Sequence, residues 1–587
     1  MIGFRQTLFL NKFIQKSLSP YCCKHYHASR TIMGPLVEQQ KTEAPIFMPK
    51  RKKNEVRDLI LEVLNKAPSQ REAMSYIKRF TLPSTKSPVP VSVETKKSIP
   101  STIPEKDVQS KQSQQSQQSS ASRNAEFVDS LFETKCEHIA LIKIQGPFTP
   151  LDLKSVSKTL VRLQNLGLMP IVILDNDEWR EMLKGGSSRF DELKQWMMED
   201  SANFCEALEN AGGRATTIYN GVFTLAYEEG DNNQSSLESR TLSTDVDANI
   251  NVSLSWLKSS LKLGHIPLIL PIALDGLSEQ KTIHPNAGMI ALSSSLSDLS
   301  NATCLDLKTP QLEPMKIIVI NSEGGIPSEE RKGSHVFINI QQEYEDIKKS
   351  YKENPQWNFT HPTGLENFEM INTCLKKLPS TTSAIMVPAY SPTGLIYNLI
   401  TDKPLFSSSL PLMAPTTPST TTTVIRYGMP VYYHNSLSTI DIPALKSLIE
   451  ASFSRKLDVD KYIDRMKNSF DLTIVTGDYQ GAAIVTMEDV EGNEKGDIPY
   501  LDKFAVSPNC QGIGIADILW KQLQIRYPNL MWRSRDNNGV NKWYFERSDG
   551  NYKIPGTHWM MFWYGNDGTN KLKAYAETAK NMPVSFI

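Results

Sequence analysis

The chain carries no excess of either charge: Lys+Arg and Asp+Glu are both 64 in 587 residues. There is thus no global basic field of the kind that draws nucleic acid. Cysteine is sparse and scattered, at positions 22, 23, 136, 205, 304, 374 and 510. No C-x-x-C pair is present. That spacing gives no zinc site and no disulfide framework, and it suits a reducing compartment. No apolar run nears the ~18 residues a membrane-spanning helix needs.

Acidic residues are missing altogether from Met1 to Val37, while Arg5, Lys12, Lys16, Lys24 and Arg30 are basic. Arg5, Lys12 and Lys16 fall on one helical stripe, with Phe9, Leu10, Phe13, Ile14 and Leu18 around the rest. A basic, amphipathic, acid-free leader reads as a mitochondrial presequence over 1–35. Asn11, Lys12, Gln15 and Lys16 interrupt the continuous apolar core that a secretory signal requires.

Residues 50–80 read as a helical pair, with Ser69 and Glu72 in capping-box spacing. Residues 81–123 are rich in Pro, Ser, Gln and Lys and cannot bury a core, so they read as a disordered linker. From 124 to 425 strand-like runs alternate with helix-like segments: His138–Ile144, Met169–Leu174, Ile266–Leu270, Lys316–Ile320, Val336–Ile340 and Ala384–Val387 against Pro150–Leu166 and Asp191–Ala211. Such alternation predicts a mostly parallel, doubly wound α/β domain. Residues 213–250, rich in Asn and Ser, read as a surface insertion. From 426 to 587 the order changes. Helices at Ile442–Ser454 and Val459–Ser469 precede a hairpin of Leu472–Thr476 and Ala482–Met487. Strands follow at Pro499–Val506, Leu530–Arg535 and His558–Tyr564, with a helix at Asp517–Arg526.

The densest signal is Leu501 to Ala516, where a strand runs through Ser507-Pro508 into Gln511-x-x-Gly514-x-Ala516 and a helix. A glycine turn at a helix N-terminus points unpaired N–H groups at one spot, where the helix dipole favours an anion such as pyrophosphate. An ordinary strand–turn–helix with packing glycines is the alternative. Downstream stand Trp532-Arg-Ser-Arg535, Asn538-x-x-Asn541-x-Trp-Tyr-Phe545 and Ser548-Asp-Gly550. Arg533 and Arg535, at i and i+2, project from one face of a strand and suit carboxylates. Two arginines argue against a cationic acceptor such as a protein lysine.

The glycine spacing resembles the acetyl-CoA loop of the GNAT acetyltransferases. The downstream run resembles the mitochondrial N-acetylglutamate synthases of fungi and animals, a likeness that covers most of the chain from about residue 50. It implies an amino-acid-kinase-like domain followed by an α+β GNAT domain. It also implies acetyl transfer from acetyl-CoA to L-glutamate in the mitochondrial matrix, as the first step of arginine (ornithine) synthesis. No metal is implied. Phe504, Ala505, Val506, Gln511, Gly512, Gly514, Ile515 and Ala516 would hold acetyl-CoA. Lys503, Arg533, Arg535, Asn538 and Asn541 would bind glutamate. Tyr544 would protonate the leaving thiolate, its alternative being a core aromatic. Cys510, His434 and His558 carry no supporting pattern and read as structural.

Within 124–425, Leu141–Gly146 and Leu163–Ile173 resemble the amino-acid kinase fold, but the phosphate loops depart from it. The first has one glycine followed by Pro147, and the second, Leu174–Trp179, has three acids and no glycine. These loops read as a kinase-like domain without kinase chemistry. The family resemblance implies that such a domain binds L-arginine as inhibitor, here through the matching stretches Ile318–Pro327, His361–Leu378 and Thr423–Pro430. Acetylglutamate kinase and a second copy of the chain are the implied partners. A non-catalytic scaffold for that kinase is the competing reading.

Overall fold

The computed structural model describes residues 138–183, 190–225, 250–303, 314–401, 403–404, 407–410, 421–488, 498–511 and 514–587. The leader, the 50–80 helices, the 81–123 linker and Gly512 lie outside the described residues.

β1 (His138–Gly146) and β2 (Leu168–Asn176) are buried almost throughout, as in strands covered on both faces. They run parallel, with His138 opposite Leu168 and Gly146 opposite Asn176. The crossover is α1 (Pro150–Asn165). Thr149 and Asp152 close a capping box at its start, with Pro150 in the first turn, where a missing N–H costs nothing. Six more strands complete the sheet: β3 (Ala215–Ile218), β4 (Ile266–Ile269), β5 (Pro314–Asn321), β6 (Phe337–Asn339), β7 (Ser383–Pro388) and β8 (Thr423–Arg426). The order is β6-β8-β7-β5-β1-β2-β4-β3. Every neighbouring pair is parallel except β7–β8.

Helices pack on both faces. α1 and α2 (Phe190–Asn210) bury Val156, Leu160, Leu193 and Phe204 on one side. α3 (Pro285–Thr303), α4 (Ile340–Glu353) and α5 (Gly364–Lys377) bury Met289, Ile347 and Phe368 on the other. This is the doubly wound α/β class expected from the alternation. The expectation of a surface insertion fails for residues 215–225. β3 joins the main sheet, and the fully buried Phe223 belongs to a four-stranded sheet formed by Ile250–Val252, Phe223–Leu225, Ile272–Leu274 and Gln280–Thr282.

The second sheet starts at β9 (Val431–His434), soon after β8. α6 (Ile442–Phe453) and α7 (Val459–Ser469) follow, then β10 (Phe470–Thr476), β11 (Gly481–Glu488) and β12 (Ile498–Val506). α8 (Ile515–Arg526), β13 (Leu530–Arg535), α9 (Asn541–Phe545), β14 (Gly550–Lys553), β15 (Trp559–Tyr564) and α10 (Leu572–Asn581) complete it. The strand order is β9-β10-β11-β12-β13-β15-β14. All pairs are antiparallel except β12–β13. α8 packs on one face with Leu472, Leu501, Trp532 and Phe562, and α6 and α7 on the other with Val475, Ile484 and Ala505.

Candidate functional site

The one parallel pair is where the second sheet opens. β12 and β13 are registered at Tyr500 opposite Met531, and no further ladder pair is formed between them among the described residues. Beyond that point Asp502–Val506 and Arg533–Arg535 form the two margins of a split.

A β-bulge shapes the first margin. The register of β11 against β12 jumps from Ile484–Lys503 to Val485–Leu501, so Asp502 is the extra residue. Neighbours in a regular strand point to opposite faces. Here Asp502 and Lys503 both meet α7. Tyr462 Oη donates to Asp502 Oδ2 at 2.7 Å, and Lys503 Nζ lies 4.8 Å from the Tyr462 ring centre. Lys503 Nζ donates to Asp502 Oδ2 at 2.8 Å and to Ser585 Oγ at 3.3 Å. Arg465 also pairs with Asp502, and at 3.1 Å with Glu488. Burial alone would raise the Asp502 pKa, but Lys503 and Arg465 outweigh it and bring the carboxyl down to about 2. Burial lowers the pKa of Lys503.

On the second margin, Arg533 and Arg535 do share a face. Their guanidinium carbons lie 4.0 and 5.8 Å from the Trp559 ring centre. Arg533 is half-buried and donates to the carbonyls of Ala579 at 2.6 Å and Pro583 at 3.3 Å, whereas Arg535 is exposed. Asn538 is exposed; its amide donates to Ser534 Oγ and its carbonyl accepts from Val540 N. Asn541 spends its amide nitrogen on the backbone, while its Oδ1 is buried without a hydrogen-bond partner among the described residues. The side chain is buried, and its amide donates to the carbonyls of Arg535 at 2.7 Å and Asp536 at 3.2 Å, closing the turn after β13. Asp502, Arg465, Tyr462 and Ser585 were missed by sequence reasoning. Asp502 stood next to Lys503 in the signal run, but nothing local announces a bulge.

Tyr544 lies on the opposite face, among Trp532, Trp543 and Phe562, with ring centres 5.5–5.6 Å away. Phe504 stacks on Trp543 at 5.6 Å, which brings this aromatic group to the β12 margin. Burial pushes the Tyr544 phenol up, so it keeps its proton at neutral pH. Cys510, whose thiol burial pushes up, is no activated nucleophile. His558 is exposed, and His434 Nδ1 meets Thr439 Oγ1 at 3.0 Å.

α8 starts two residues ahead of Asp517. Gly514 is its N-cap with φ +93°, a conformation glycine adopts without strain. Ile515 is buried against β11, where a Cβ on Gly481 would stand 2.5 Å from Ile515 Cγ2. The backbone N–H groups of the first turn therefore rest on a tightly seated helix end. Gln511 is exposed beside it. Val506 N donates to Ser452 Oγ at 3.3 Å. Phe504 and Val506 pack on the α8 side, and Ala505 on the α6 side.

In the first sheet, Lys143 is fully buried near the C-terminal ends of β1 and β2. Its ammonium meets Asn286 Oδ1 at 2.6 Å, Asn367 Oδ1 at 2.8 Å and Asp175 Oδ2 at 3.0 Å. Arg180 pairs with Asp175 and, at 3.1 Å, with Glu366. The three stretches singled out for arginine come together nearby. Glu323 Oε1 accepts from Thr363 N and Oγ1, and a Cβ on Gly325 would stand 2.2 Å from Thr423 Oγ1. Among the described residues no group of three His, Cys, Asp or Glu is arranged to hold a metal.

A family model described as the N-acetyltransferase of N-acetylglutamate synthase matches residues 432–582, the span of the second sheet. The amino-acid acetyltransferase, mitochondrial, of Coprinopsis cinerea is 32% identical over 572 residues, covering 90% of this chain and 88% of its own. That of Laccaria bicolor is 37% identical over 484 residues, covering 76% and 80%. The solved structure of N-acetylglutamate synthase from Neisseria gonorrhoeae, complexed with coenzyme A and N-acetyl-glutamate, is 13% identical with a TM-score of 0.44. It covers 74% of this chain and 97% of its own. At such identity over nearly the whole length of its fungal relatives, the chain belongs to the mitochondrial amino-acid acetyltransferase family.

Proposed function

We propose that the chain moves the acetyl group of acetyl-CoA onto the α-amine of L-glutamate in the mitochondrial matrix, as the first step of arginine (ornithine) synthesis. The observation that carries this reading is the β12–β13 split, with Lys503 on one margin and Arg533 on the other. Two cations at one opening suit an acceptor with two carboxylates. The split ends beside the N-terminus of α8, whose unpaired N–H groups suit a pyrophosphate. Pantetheine would lie along Phe504–Val506, with Gln511, Gly512, Gly514, Ile515 and Ala516 around the diphosphate.

In this arrangement the neutral amine attacks the thioester carbonyl. A backbone N–H of β12 receives the developing oxyanion, and no covalent enzyme intermediate is needed. Collapse breaks the C–S bond, and Tyr544 gives its proton to the departing thiolate. Solvent takes the proton lost by the amine and restores the phenol. Tyr544 sits across the sheet from Arg533, so donor and acceptor meet only through the split.

The first sheet supports a regulatory role. Its buried lysine is held by Asp175, Asn286 and Asn367, which takes that ammonium away from nucleotide phosphates. Arginine would enter near Glu323, whose Oε2 is buried and has no hydrogen-bond partner. Docking of acetylglutamate kinase would fall to the 50–80 helices, outside the described residues.

The test is free-thiol release from acetyl-CoA with each amino acid as acceptor, with and without arginine. Release with L-glutamate alone, suppressed by arginine, is expected. Release without an arginine response would keep the acetyltransferase reading and remove the inhibitor. No release from a folded protein would remove glutamate as the acceptor.

A further inference from the structure

After α10 the chain turns back over the acceptor side of the second sheet. Asp458 N donates to Ser585 O at 3.1 Å, and Ile587 N to Lys456 O at 3.0 Å. Phe586 forms a β-bridge with Leu457, and its ring centre lies 5.1 Å from that of Phe453. Residues 583–587 are thereby fastened as a short antiparallel strap along the link between α6 and α7.

This strap touches both cations of the split. Ser585 Oγ accepts from Lys503 Nζ at 3.3 Å, and the Phe586 ring centre lies 5.6 Å from the same ammonium. The carbonyl of Pro583 accepts from Arg533 Nη2 at 3.3 Å. With Tyr462 on its other flank, Lys503 is enclosed by two rings, a hydroxyl and the Asp502 carboxylate. A lysine ammonium on its flexible stem is a poorly fixed charge unless its surroundings fix it. A segment that holds both cations also holds their separation, and that separation decides which length of dicarboxylate can bridge them.

We propose that residues 583–587 are a wall of the acceptor site. Ser585 and Phe586 act as positioning residues for Lys503, and the Pro583 carbonyl holds Arg533, so the strap sets selectivity for acceptor length. This rests on the reading that Lys503 and Arg533 receive the acceptor. The strap itself touches no reacting atom, so its effect belongs in acceptor KM and selectivity, not in kcat.

The experiment compares the full chain with Ser585→Ala, Phe586→Ala and Phe586→Leu, using glutamate and aspartate as acceptors. The expected result is a rise of about tenfold in KM for glutamate, the scale of one lost hydrogen bond to a charged group. The preference for glutamate over aspartate narrows, KM for acetyl-CoA and kcat stay within about twofold, and Phe586→Leu recovers part of the loss. Ser585→Ala keeps the test readable if Phe586→Ala does not fold. An unchanged or lower glutamate KM in the folded variants overturns the proposal. Lys503→Met and Arg533→Gln separate the two readings. A large loss there with none in the strap variants sinks the strap alone. No effect there overturns the acceptor assignment and the strap with it.

Discussion

Arg547 and Asp517 lie 3.7 Å apart, bridged by the hydroxyls of Ser407 and Ser409. Ser409 Oγ accepts from Arg547 Nε at 2.6 Å and Ser407 Oγ from Nη2 at 2.7 Å, and both hydroxyls donate to Asp517. The guanidinium is buried and stacked at 4.0 Å on Trp543. A segment from upstream of β8 thus ties the start of α8 to the end of α9. The salt bridge of Lys521 on α8 with Glu343 on α4 joins the two sheets' helices at the same place. Replacing Arg547 by Ala strands a carboxylate and two hydroxyls and should cost about 3 kcal/mol. Arg547→Lys should not restore it, because a point charge cannot serve both hydroxyls. The Ser407→Ala, Ser409→Ala pair should cost about 2 kcal/mol. Urea unfolding midpoints decide this, and an unchanged midpoint in the double variant would sink the bridging role.

Tyr544 is packed by Trp532, Trp543 and Phe562, so Tyr544→Phe keeps the ring contacts and removes only the hydroxyl. As proton donor to the thiolate its loss should lower kcat by roughly a hundredfold or more, with both KM values nearly unchanged. Because burial pushes the phenol up, wild-type activity should show no alkaline fall from this group below about pH 10. A kcat equal to wild type would leave Tyr544 as a core aromatic only.

Asp502 carries an acid-stability signature. Its carboxyl is held at about 2 in the folded protein, against about 3.9 in an unfolded chain. A depressed acid stabilises the fold above its unfolded value, and that stabilisation is lost as pH falls through its folded value. Between about pH 5 and about pH 2 the wild type should lose on the order of 2 kcal/mol through this group. Asp502→Asn should be less stable near neutral pH, with Lys503 and Arg465 left without their shared carboxylate, but should lack that acid loss. Denaturant midpoints across this range measure the difference. Parallel slopes for the two proteins would contradict it.

Gly481 fixes how closely α8 sits on β11. A Cβ there meets Ile515 Cγ2 at 2.5 Å and Thr476 Oγ1 at 2.8 Å. Gly481→Ala should destabilise by about 2 kcal/mol, as overpacking does. By displacing the first turn of α8 it should raise KM for acetyl-CoA more than KM for glutamate. Equal changes in the two constants would argue against α8 as the cosubstrate's seat.

Much of this protein was legible along the chain. Long apolar runs buried on both faces predicted β1, β2 and β5, since only a covered parallel strand tolerates such a run. The glycine spacing marked the start of α8, because glycine reaches φ +93° without a Cβ clash. The i, i+2 spacing put Arg533 and Arg535 on one face, because strand periodicity is local geometry.

What tertiary structure alone decided is which groups those residues meet. The bulge that turns Asp502 to the side of Lys503 depends on the register of β11, not on its own neighbours. The turn that Asn541 closes takes up its amide nitrogen, a partner that the sequence did not show. Ser407 and Arg547 are separated by 140 residues, and Lys503 and Ser585 by 82. Side-chain periodicity is a property of one element and can be read from the sequence. A hydrogen bond between elements exists only once packing has brought both ends together, and the strap, the bridge and the split are all of that second kind.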